Sequence, residues 1–190
     1  MLTLILGPMC SGKSLEIVQT FSKFKYAEKN FVILQPVANV RDKQLTSRQG
    51  ISLPCVKIES LAELEKYSLL EYIGIDEIHM FEKSNIKEAR EAVKPILKLL
   101  NKGRKFYISG LDLNYQGQLF NVIKALIELG PTEIMMKSSV CVCCQNMDAT
   151  YSQILSNDGQ PVTRGLSSIS PDDGTFMYEP RCRRCFVFPK

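Results

Sequence analysis

The sequence has no long apolar run, little net charge and a single histidine. No apolar stretch approaches the ~20 residues that a membrane-spanning helix needs, and the amino terminus lacks the basic segment of a secretory signal. We therefore expect a soluble, cytoplasmic protein with no membrane partner. A net charge of +4 over 190 residues falls short of the basic stripe of a nucleic-acid-binding protein, so we expect no nucleic-acid partner either. The histidine, His79, is by itself an ordinary residue at a strand end.

The pattern of apolar and polar segments predicts an α/β protein. Short apolar runs alternate with helical segments over residues 1–137, which indicates a mostly parallel, P-loop-type sheet with helices on both faces. From Ser138 onward, the alternation of strands and helices stops, and the sequence becomes rich in cysteines and turn residues. We therefore predict two domains, an α/β domain over residues 1–137 and a small second domain over residues 138–190.

The element boundaries follow from local patterns. Ser60 with Glu63 predicts a capping box before a short helix. Pro36 to Gly50 is polar and predicts a loop. The predicted strands are 2–6, 31–35, 51–58, 72–77, 105–109 and 133–136, and the predicted longer helices are 15–28, 84–100 (capped by Ser84) and 118–129.

The strongest local motif lies directly after the first strand. Residues Gly7 to Ser14 read GPMCSGKS and fit the pattern G-x-x-x-x-G-K-[ST] completely. In such a loop the backbone N–H groups face the phosphates, Lys13 reaches the β- and γ-phosphates, and the Ser14 hydroxyl can bind Mg²⁺. A strand before the motif and a helix after it are the expected context. The motif therefore predicts binding of ATP.

A pair of acids, Asp76 and Glu77, follows another apolar strand. Successive side chains of a strand point to opposite faces, so the two acids should have different roles. Asp76 would hold Mg²⁺ and Glu77 would act as general base. The base would activate either water, as in an ATPase, or a substrate hydroxyl, as in a kinase. The run DEIH at 76–79 also resembles a helicase motif, but the chain is too short for a second ATPase lobe.

Four of the seven cysteines form two C-x₂-C pairs. Two such pairs are typical of a closed, structural Zn²⁺ site with four thiolates. Cys143 is ambiguous, because it stands beside the first pair. Buried or redox-active cysteines, and a zinc ribbon for nucleic acid, are the alternatives. The predicted ligands are Cys141, Cys144, Cys182 and Cys185.

Taken in order, these motifs resemble the type II (cellular-type) thymidine kinase family over nearly the whole chain. GPMCSGKS resembles the family's GPMFSGKS loop, and IGIDE at 73–77 resembles the strand that carries its catalytic glutamate. GLDLNY at 110–115, through Phe120, resembles the segment around the nucleobase. Tyr178 precedes Cys182 by the family's spacing.

The resemblance implies transfer of phosphate from ATP to the 5′-hydroxyl of thymidine, with Mg²⁺, structural zinc and a homotetramer. Glu77 would be the catalytic base. The implied nucleotide-binding residues are Gly7, Pro8, Met9, Cys10, Ser11, Gly12, Lys13, Ser14, Asn39, Arg41, Asp76 and His79. The implied substrate-binding residues are Met9, Met80, Leu111, Tyr115, Phe120, Val162, Thr163 and Tyr178. Ser14 and Asp76 would hold Mg²⁺.

The chain also departs from the family pattern. His79 and Met80 replace a glutamine and an aromatic residue, Asn39 replaces an acid, and Leu119 replaces a proline. Val162 to Gly165 is a changed form of the family's VIGG run, and 166–176 looks like an insertion. Two alternatives therefore stay open: a nucleotide-binding paralogue with altered nucleoside specificity, and a P-loop ATPase acting on nucleic acid. Without the motif, Tyr115 and Phe120 would also suit plain core packing.

Overall fold

The computed structural model describes residues 1–39, 44–46, 52–167 and 175–189 of the chain. Within these ranges, no helix combines the length and the apolar composition required to cross a membrane. The α-helices are α1 (Lys13–Tyr26), α2 (Ile86–Asn101) and α3 (Asn121–Glu128), and two short 3₁₀ helices span Leu61–Tyr67 and Ile78–Phe81. The strands are β1 (Leu2–Leu6), β2 (Phe31–Pro36), β3 (Gln44–Thr46), β4 (Ser52–Pro54), β5 (Val56–Ile58), β6 (Tyr72–Ile75), β7 (Lys105–Gly110), β8 (Glu133–Met136), β9 (Tyr151–Leu155) and β10 (Met177–Arg181).

Six strands form the central sheet in the order β5-β2-β6-β7-β1-β8, and all neighbouring pairs are parallel. The prediction of an α/β fold with a mostly parallel sheet is confirmed. Leu4 of β1 lies between Ile108 of β7 and Ile134 of β8, so β1 is an interior strand. Every residue of β1 is buried, as expected for a strand covered on both faces.

Alternate residues of β1 belong to two separate hydrophobic cores. Leu4 and Leu6 pack in the larger core, which α2, α3 and the first 3₁₀ helix cover. Ile5, between them, packs in the smaller core with Phe21 of α1. Helices therefore cover both faces, as predicted. Because β1 is anchored from both sides, the loop that follows Leu6 starts from a fixed point.

The boundaries of α2 and α3 differ from the predictions. Asn85, and not Ser84, caps α2: its side chain accepts the N–H of Glu88 at 3.0 Å. The third helix begins at Asn121 and not at 118, because Asn114 Oδ1 accepts the N–H groups of Gln116 and Gln118 and holds that segment in a turn. The capping box of Ser60 and Glu63 is confirmed.

The predicted strand 51–58 is broken at Cys55. Its first half, β4, pairs with β3 in a separate antiparallel ribbon, and its second half, β5, joins the edge of the main sheet. The prediction of a loop over 36–50 missed β3; residues 40–43 and 47–50 lie outside the described residues.

The C-terminal segment, which we define as residues 138–190, is built differently. Its two described strands, β9 and β10, form an antiparallel pair in which Tyr151 faces Arg181. The Tyr151 ring stacks on Phe186 at 4.5 Å between centroids, and Phe188 contacts both rings. Residues 168–174 and 190 are outside the described residues.

Candidate active site

The phosphate-binding motif forms a tight loop between β1 and α1. Gly7 has φ 147°, and a Cβ there would lie 2.4 Å from the carbonyl oxygen of Lys137, so only glycine fits. Lys13 is the first residue of α1, and its Nζ donates to the Pro8 carbonyl at 2.6 Å and to Ser11 Oγ at 3.4 Å. The ammonium is therefore held inside the loop that the motif assigns to the phosphates.

The charges of three carboxylates act on the buried Lys13 ammonium. Burial lowers the pKa of Lys13, and the charges of Glu77, Asp76 and Asp112 oppose that shift. The Glu77 side chain is 26% exposed, whereas Asp76 and Asp112 are 2% and 6% exposed as residues. Glu77 is therefore the carboxylate of the three that an incoming molecule can reach.

Asp76 lies next to Ser14. Its Oδ2 accepts hydrogen bonds from Ser14 Oγ at 3.0 Å and from Gln35 Nε2 at 3.3 Å, and its Oδ1 accepts a short hydrogen bond from Ser109 Oγ. Burial and the Glu77 charge raise the pKa of Asp76 to about 6, although the Ser109 and Ser14 hydroxyls work against the rise. A buried carboxylate beside the motif's serine fits a divalent cation, which prefers oxygen ligands.

Glu77 adopts a left-handed backbone conformation with φ 57° and ψ 38°. For a residue other than glycine this conformation costs on the order of 1–3 kcal/mol and is found most often at functional sites. The N–H of Asp76 still bonds to Leu34 of β2, whereas Glu77 starts the 3₁₀ helix. The strand predicted over 72–77 therefore ends two residues early, at Ile75, and the two acids lie in the turn that follows β6.

His79 is buried between Glu77 and the segment after β7. Its Nδ1 accepts the N–H of Leu111 at 3.3 Å and lies 3.4 Å from Glu77 Oε2, and its ring contacts Phe120 at 5.3 Å between centroids. Burial, with the Lys13 charge, lowers the pKa of His79 to about 3. The ring is therefore neutral, and its approach to Glu77 is not an ion pair.

Asp112 is a site residue to which sequence reasoning gave no role. It is 6% exposed, and among the described residues its Oδ1 has no hydrogen-bond partner. Burial raises its pKa, while its own N–H, the N–H of Leu113 and the Lys13 charge act in the opposite direction. The sequence signal that could have identified Asp112 is its position just after β7. The carboxyl ends of parallel strands lie at one edge of the sheet, and ligands bind at that edge.

The residues assigned to the nucleoside fall into two groups. Leu111 and Phe120 lie beside His79, and Phe120 is also part of the larger core. Tyr115 is buried, and its hydroxyl donates to the carbonyl of Leu166 at 2.9 Å. Met80 is half-buried on the 3₁₀ helix that Glu77 begins.

The other assigned nucleoside residues lie in or against the C-terminal segment. Met9 donates its N–H to Ser152 Oγ of β9 at 3.0 Å, so this group does not face into the phosphate loop. Val162 bonds through its N–H to the Ile154 carbonyl at 2.9 Å, beside the half-buried Thr163. Tyr178 is half-buried on β10 opposite Ile154.

Asn39 and Arg41 were assigned to the nucleotide from the resemblance alone. Asn39 is buried just after β2, where its carbonyl accepts a hydrogen bond from Lys57 Nζ at 2.8 Å. Arg41 lies outside the described residues.

The four predicted zinc ligands converge. The sulfur atoms of Cys141, Cys144, Cys182 and Cys185 all lie within 4.8 Å of one another, and Cys144 Sγ is 3.7 Å from Cys182 Sγ. Tetrahedral zinc with bonds of about 2.3 Å would separate its sulfur ligands by roughly 3.8 Å, so the cluster fits Zn²⁺. The exposed Cys143 is outside this group.

One of the four thiols, Cys141, is shifted toward the form that binds a metal, whereas the neighbouring cysteines, Cys143 first, raise the pKa of Cys185. Burial raises the pKa of Cys141, but the N–H groups of Cys182, Cys144 and Cys143 bring it down to about 6. Thiolates are the form that binds zinc.

Hydrogen bonds join the C-terminal segment to the phosphate loop. Ser152 receives the Met9 N–H, and Ser139 Oγ donates to the Cys10 carbonyl at 3.1 Å. Just before the segment, Lys137 Nζ pairs with Glu16 of α1 at 2.7 Å. The position of the loop therefore depends on a segment whose core contains the cysteine cluster.

Comparison with known proteins gives a consistent result. The family model for thymidine kinase matches residues 1–186. The thymidine kinases of Mycoplasmoides gallisepticum and Chloroflexus aurantiacus are each 29% identical to this chain, cover 97% and 96% of it, and are themselves covered over 80% and 92% of their lengths. The thymidine kinase of Bacteroides thetaiotaomicron is 26% identical, with 96% of this chain and 85% of its own length covered. Since the family model spans nearly the whole chain, the chain belongs to the thymidine kinase family.

Proposed function

We propose that the chain transfers the γ-phosphate of ATP to the 5′-hydroxyl of thymidine, with Glu77 as the general base, giving dTMP and ADP. The observation that carries this assignment is the reachable carboxylate of Glu77 beside the Lys13 ammonium of a phosphate-binding loop. Membership of the family supports thymidine as the acceptor and ATP as the donor.

Binding of ATP is assigned to the loop from Gly7 to Ser14 and the first turn of α1. Lys13 would exchange its hydrogen bonds to Pro8 and Ser11 for contacts with the β- and γ-phosphates. The loop N–H groups and the N-terminus of α1 favour the same anionic groups. Asn39 and Arg41 stay proposed nucleotide contacts on the basis of the resemblance.

In the transfer step, Glu77 accepts the proton of the 5′-hydroxyl while that oxygen attacks the γ-phosphorus and the bond to the β-phosphate oxygen breaks. Lys13 stabilises the charge that develops on the phosphate oxygens. His79 packs beside the Glu77 carboxylate and contacts Phe120 through its ring, which favours a role in shaping the acceptor side over a contact with ATP.

Mg²⁺ would be held by Ser14 and Asp76, whose oxygen atoms lie 3.0 Å apart. When bound, it would neutralise charge on the β- and γ-phosphates. Zn²⁺ would be held by the cysteine cluster and would close the C-terminal segment at its base.

The nucleoside is assigned to the space between the segment 111–120 and the C-terminal segment. The Tyr115 hydroxyl bonds to Leu166, which holds the start of the altered loop against this side of the molecule. The proposed contacts are Met9, Met80, Leu111, Tyr115, Phe120, Val162, Thr163 and Tyr178. The division into a nucleotide-binding domain (1–137) and a substrate-loop domain (138–190), the homotetramer and the cytoplasmic location also stay proposals, which rest on the sequence reading and the resemblance.

The direct test measures transfer of ³²P from [γ-³²P]ATP to thymidine, deoxyuridine and deoxycytidine side by side, with Mg²⁺ present. We expect labelled dTMP as the main product. Nucleoside phosphorylation that omits thymidine would support the paralogue with altered specificity. ATP hydrolysis that DNA or RNA stimulates, without any labelled nucleotide product, would support the nucleic-acid ATPase.

A further inference from the structure

A line of hydrogen bonds leads from Asp76 across the sheet to a lysine on its edge strand. Gln35 of β2 donates through Nε2 to Asp76 Oδ2 at 3.3 Å. Its Oε1 accepts Lys57 Nζ at 2.9 Å and the Cys55 thiol at 3.2 Å. In the sheet register, Gln35 of β2 is the neighbour of Lys57 on β5.

The partners of Gln35 fix the orientation of its amide. Two donors, the ammonium of Lys57 and the thiol of Cys55, converge on one amide atom, which must therefore be the acceptor oxygen. With the oxygen on that side, the NH₂ group faces the carboxylate of Asp76. A reversed amide would place NH₂ against the ammonium and the amide oxygen against the carboxylate, so Lys57 excludes that state.

Asp76 depends on the hydrogen bond from Gln35 because both residues are buried. Gln35 is 1% exposed and Asp76 is 2% exposed, so water cannot replace a lost donor at low cost. Ser14 and Gln35 donate to the same oxygen, Oδ2, and Ser109 donates to the other. The Gln35 amide is thus one of three groups that set the rotation of the carboxylate.

Lys57 makes a second contact that extends the network. Its Nζ also donates to the Asn39 carbonyl at 2.8 Å, just after the end of β2. One ammonium group therefore connects the acid of the phosphate site with the point where the chain leaves the sheet.

We propose that Gln35 and Lys57 are positioning residues of the phosphate site: Lys57 fixes the Gln35 amide, and the amide holds the Asp76 carboxylate in the orientation that a divalent cation needs beside Ser14. This inference rests on the proposed function, in which Ser14 and Asp76 hold Mg²⁺. Neither Gln35 nor Lys57 touches the reacting atoms. Groups that orient metal ligands in this way typically change metal affinity by roughly 10–100-fold when they are removed.

The test uses Mn²⁺ as the probe and measures its binding to the full-length protein with ADP by electron paramagnetic resonance. Lys57→Met removes the ammonium and keeps a side chain of similar length. We expect Mn²⁺ to bind roughly 10-fold more weakly to this variant, with a clearly smaller change in the binding of metal-free ADP. Lys57→Arg should restore much of the affinity. Lys66→Met is the matched control, because Lys66 is exposed and its ion pair among the described residues is with Glu63.

Gln35→Met is the second variant, and it removes the amide without changing the charge. It tests the proposal if Lys57→Met does not fold. The proposal is overturned if a folded variant binds Mn²⁺ with wild-type affinity. It is also overturned if binding of Mn²⁺ and of metal-free ADP weaken equally, because an equal loss indicates a general structural role. If the wild-type protein makes no dTMP but Lys57→Met still weakens Mn²⁺ binding, the proposed function fails and the positioning role stands.

Discussion

The central sheet and the C-terminal segment keep their shapes by different means. The sheet has two hydrophobic cores, with helices packed on both faces. The C-terminal segment has a cluster built mainly of cysteines and a group of three aromatic rings in contact, one pair of them stacked. The phosphate loop belongs to the sheet but bonds to Ser139 and Ser152 of the segment. The phosphate site therefore depends on both kinds of stabilisation.

The largest effect should come from breaking the cysteine cluster. Cys182→Ala removes one of the four sulfur ligands, and structural zinc contributes on the order of 10 kcal/mol to the folding of small sites. We expect loss of bound zinc, measured by mass spectrometry, and rapid proteolysis after residue 137 while the sheet stays folded.

Cys143→Ala is the matched control for that variant, because Cys143 is exposed and lies outside the cluster. It should keep its zinc and resist protease. If both variants behave alike, the assignment of the four ligands is wrong.

A cavity in the larger core should lower stability without affecting the metal. Leu4→Ala empties a fully buried position of β1, and such changes cost about 2–5 kcal/mol of unfolding free energy. Urea denaturation measures the loss. Leu69→Ala, at an exposed position, should be close to neutral. Loss of zinc from Leu4→Ala would show that the two regions do not fold separately.

Asp76→Asn should raise the stability of the protein without bound Mg²⁺ near pH 7.5, and it should abolish phosphate transfer. Burial raises the pKa of Asp76 to about 6, above its ordinary value of 3.8, so the folded protein binds an extra proton between those values. The unfolding free energy of the wild-type protein therefore falls as the pH rises from about 4 to about 6. The Asn side chain of the variant does not titrate, so the variant does not lose stability in this way. Melting temperatures of both proteins in Mg²⁺-free buffer without a chelator, at pH 4.5 and 7.5, measure this loss. An equal difference between the proteins at both pH values contradicts the account.

The smallest effect should come from the contact between the two regions. Ser152→Ala removes the acceptor of the Met9 N–H, and a lost hydrogen bond of this kind costs about 1 kcal/mol. We expect ADP to bind a few-fold more weakly, measured by calorimetry. Ser156→Ala also loses a hydroxyl in the same segment, but one that bonds within an exposed turn. ADP affinity that falls equally in both variants would remove the specific role of Ser152.

Local patterns in the sequence were sufficient to predict much of the fold. The alternation of strands and helices, the buried first strand and the capping box at Ser60 each depend on residues close together in the chain. The first helix was predicted over 15–28, but α1 begins two residues earlier, at Lys13. The break at Cys55 was missed because β4 and β5 pair with strands of different sheets, which no local pattern reveals.

The site was predictable only where a motif carries it. The four cysteines converge as their spacing predicts. The start of α3 was missed because the Asn114 turn precedes it and the Glu82 carboxylate, from elsewhere in the chain, accepts the N–H groups of Asn121 and Val122. The contacts of Gln35 join β2 to Lys57 of β5 and to Asp76, the residue after β6, so sequence spacing could not show them.

The central claim is that the carboxylate of Glu77 removes the proton from the attacking hydroxyl. Glu77→Gln keeps the size of the side chain and removes its basicity. Turnover with thymidine should fall by roughly 10²–10⁴-fold, because a general base contributes about that much, whereas ATP affinity measured by calorimetry should stay within a few-fold of wild type. Turnover close to the wild-type value with ATP binding intact would contradict the account.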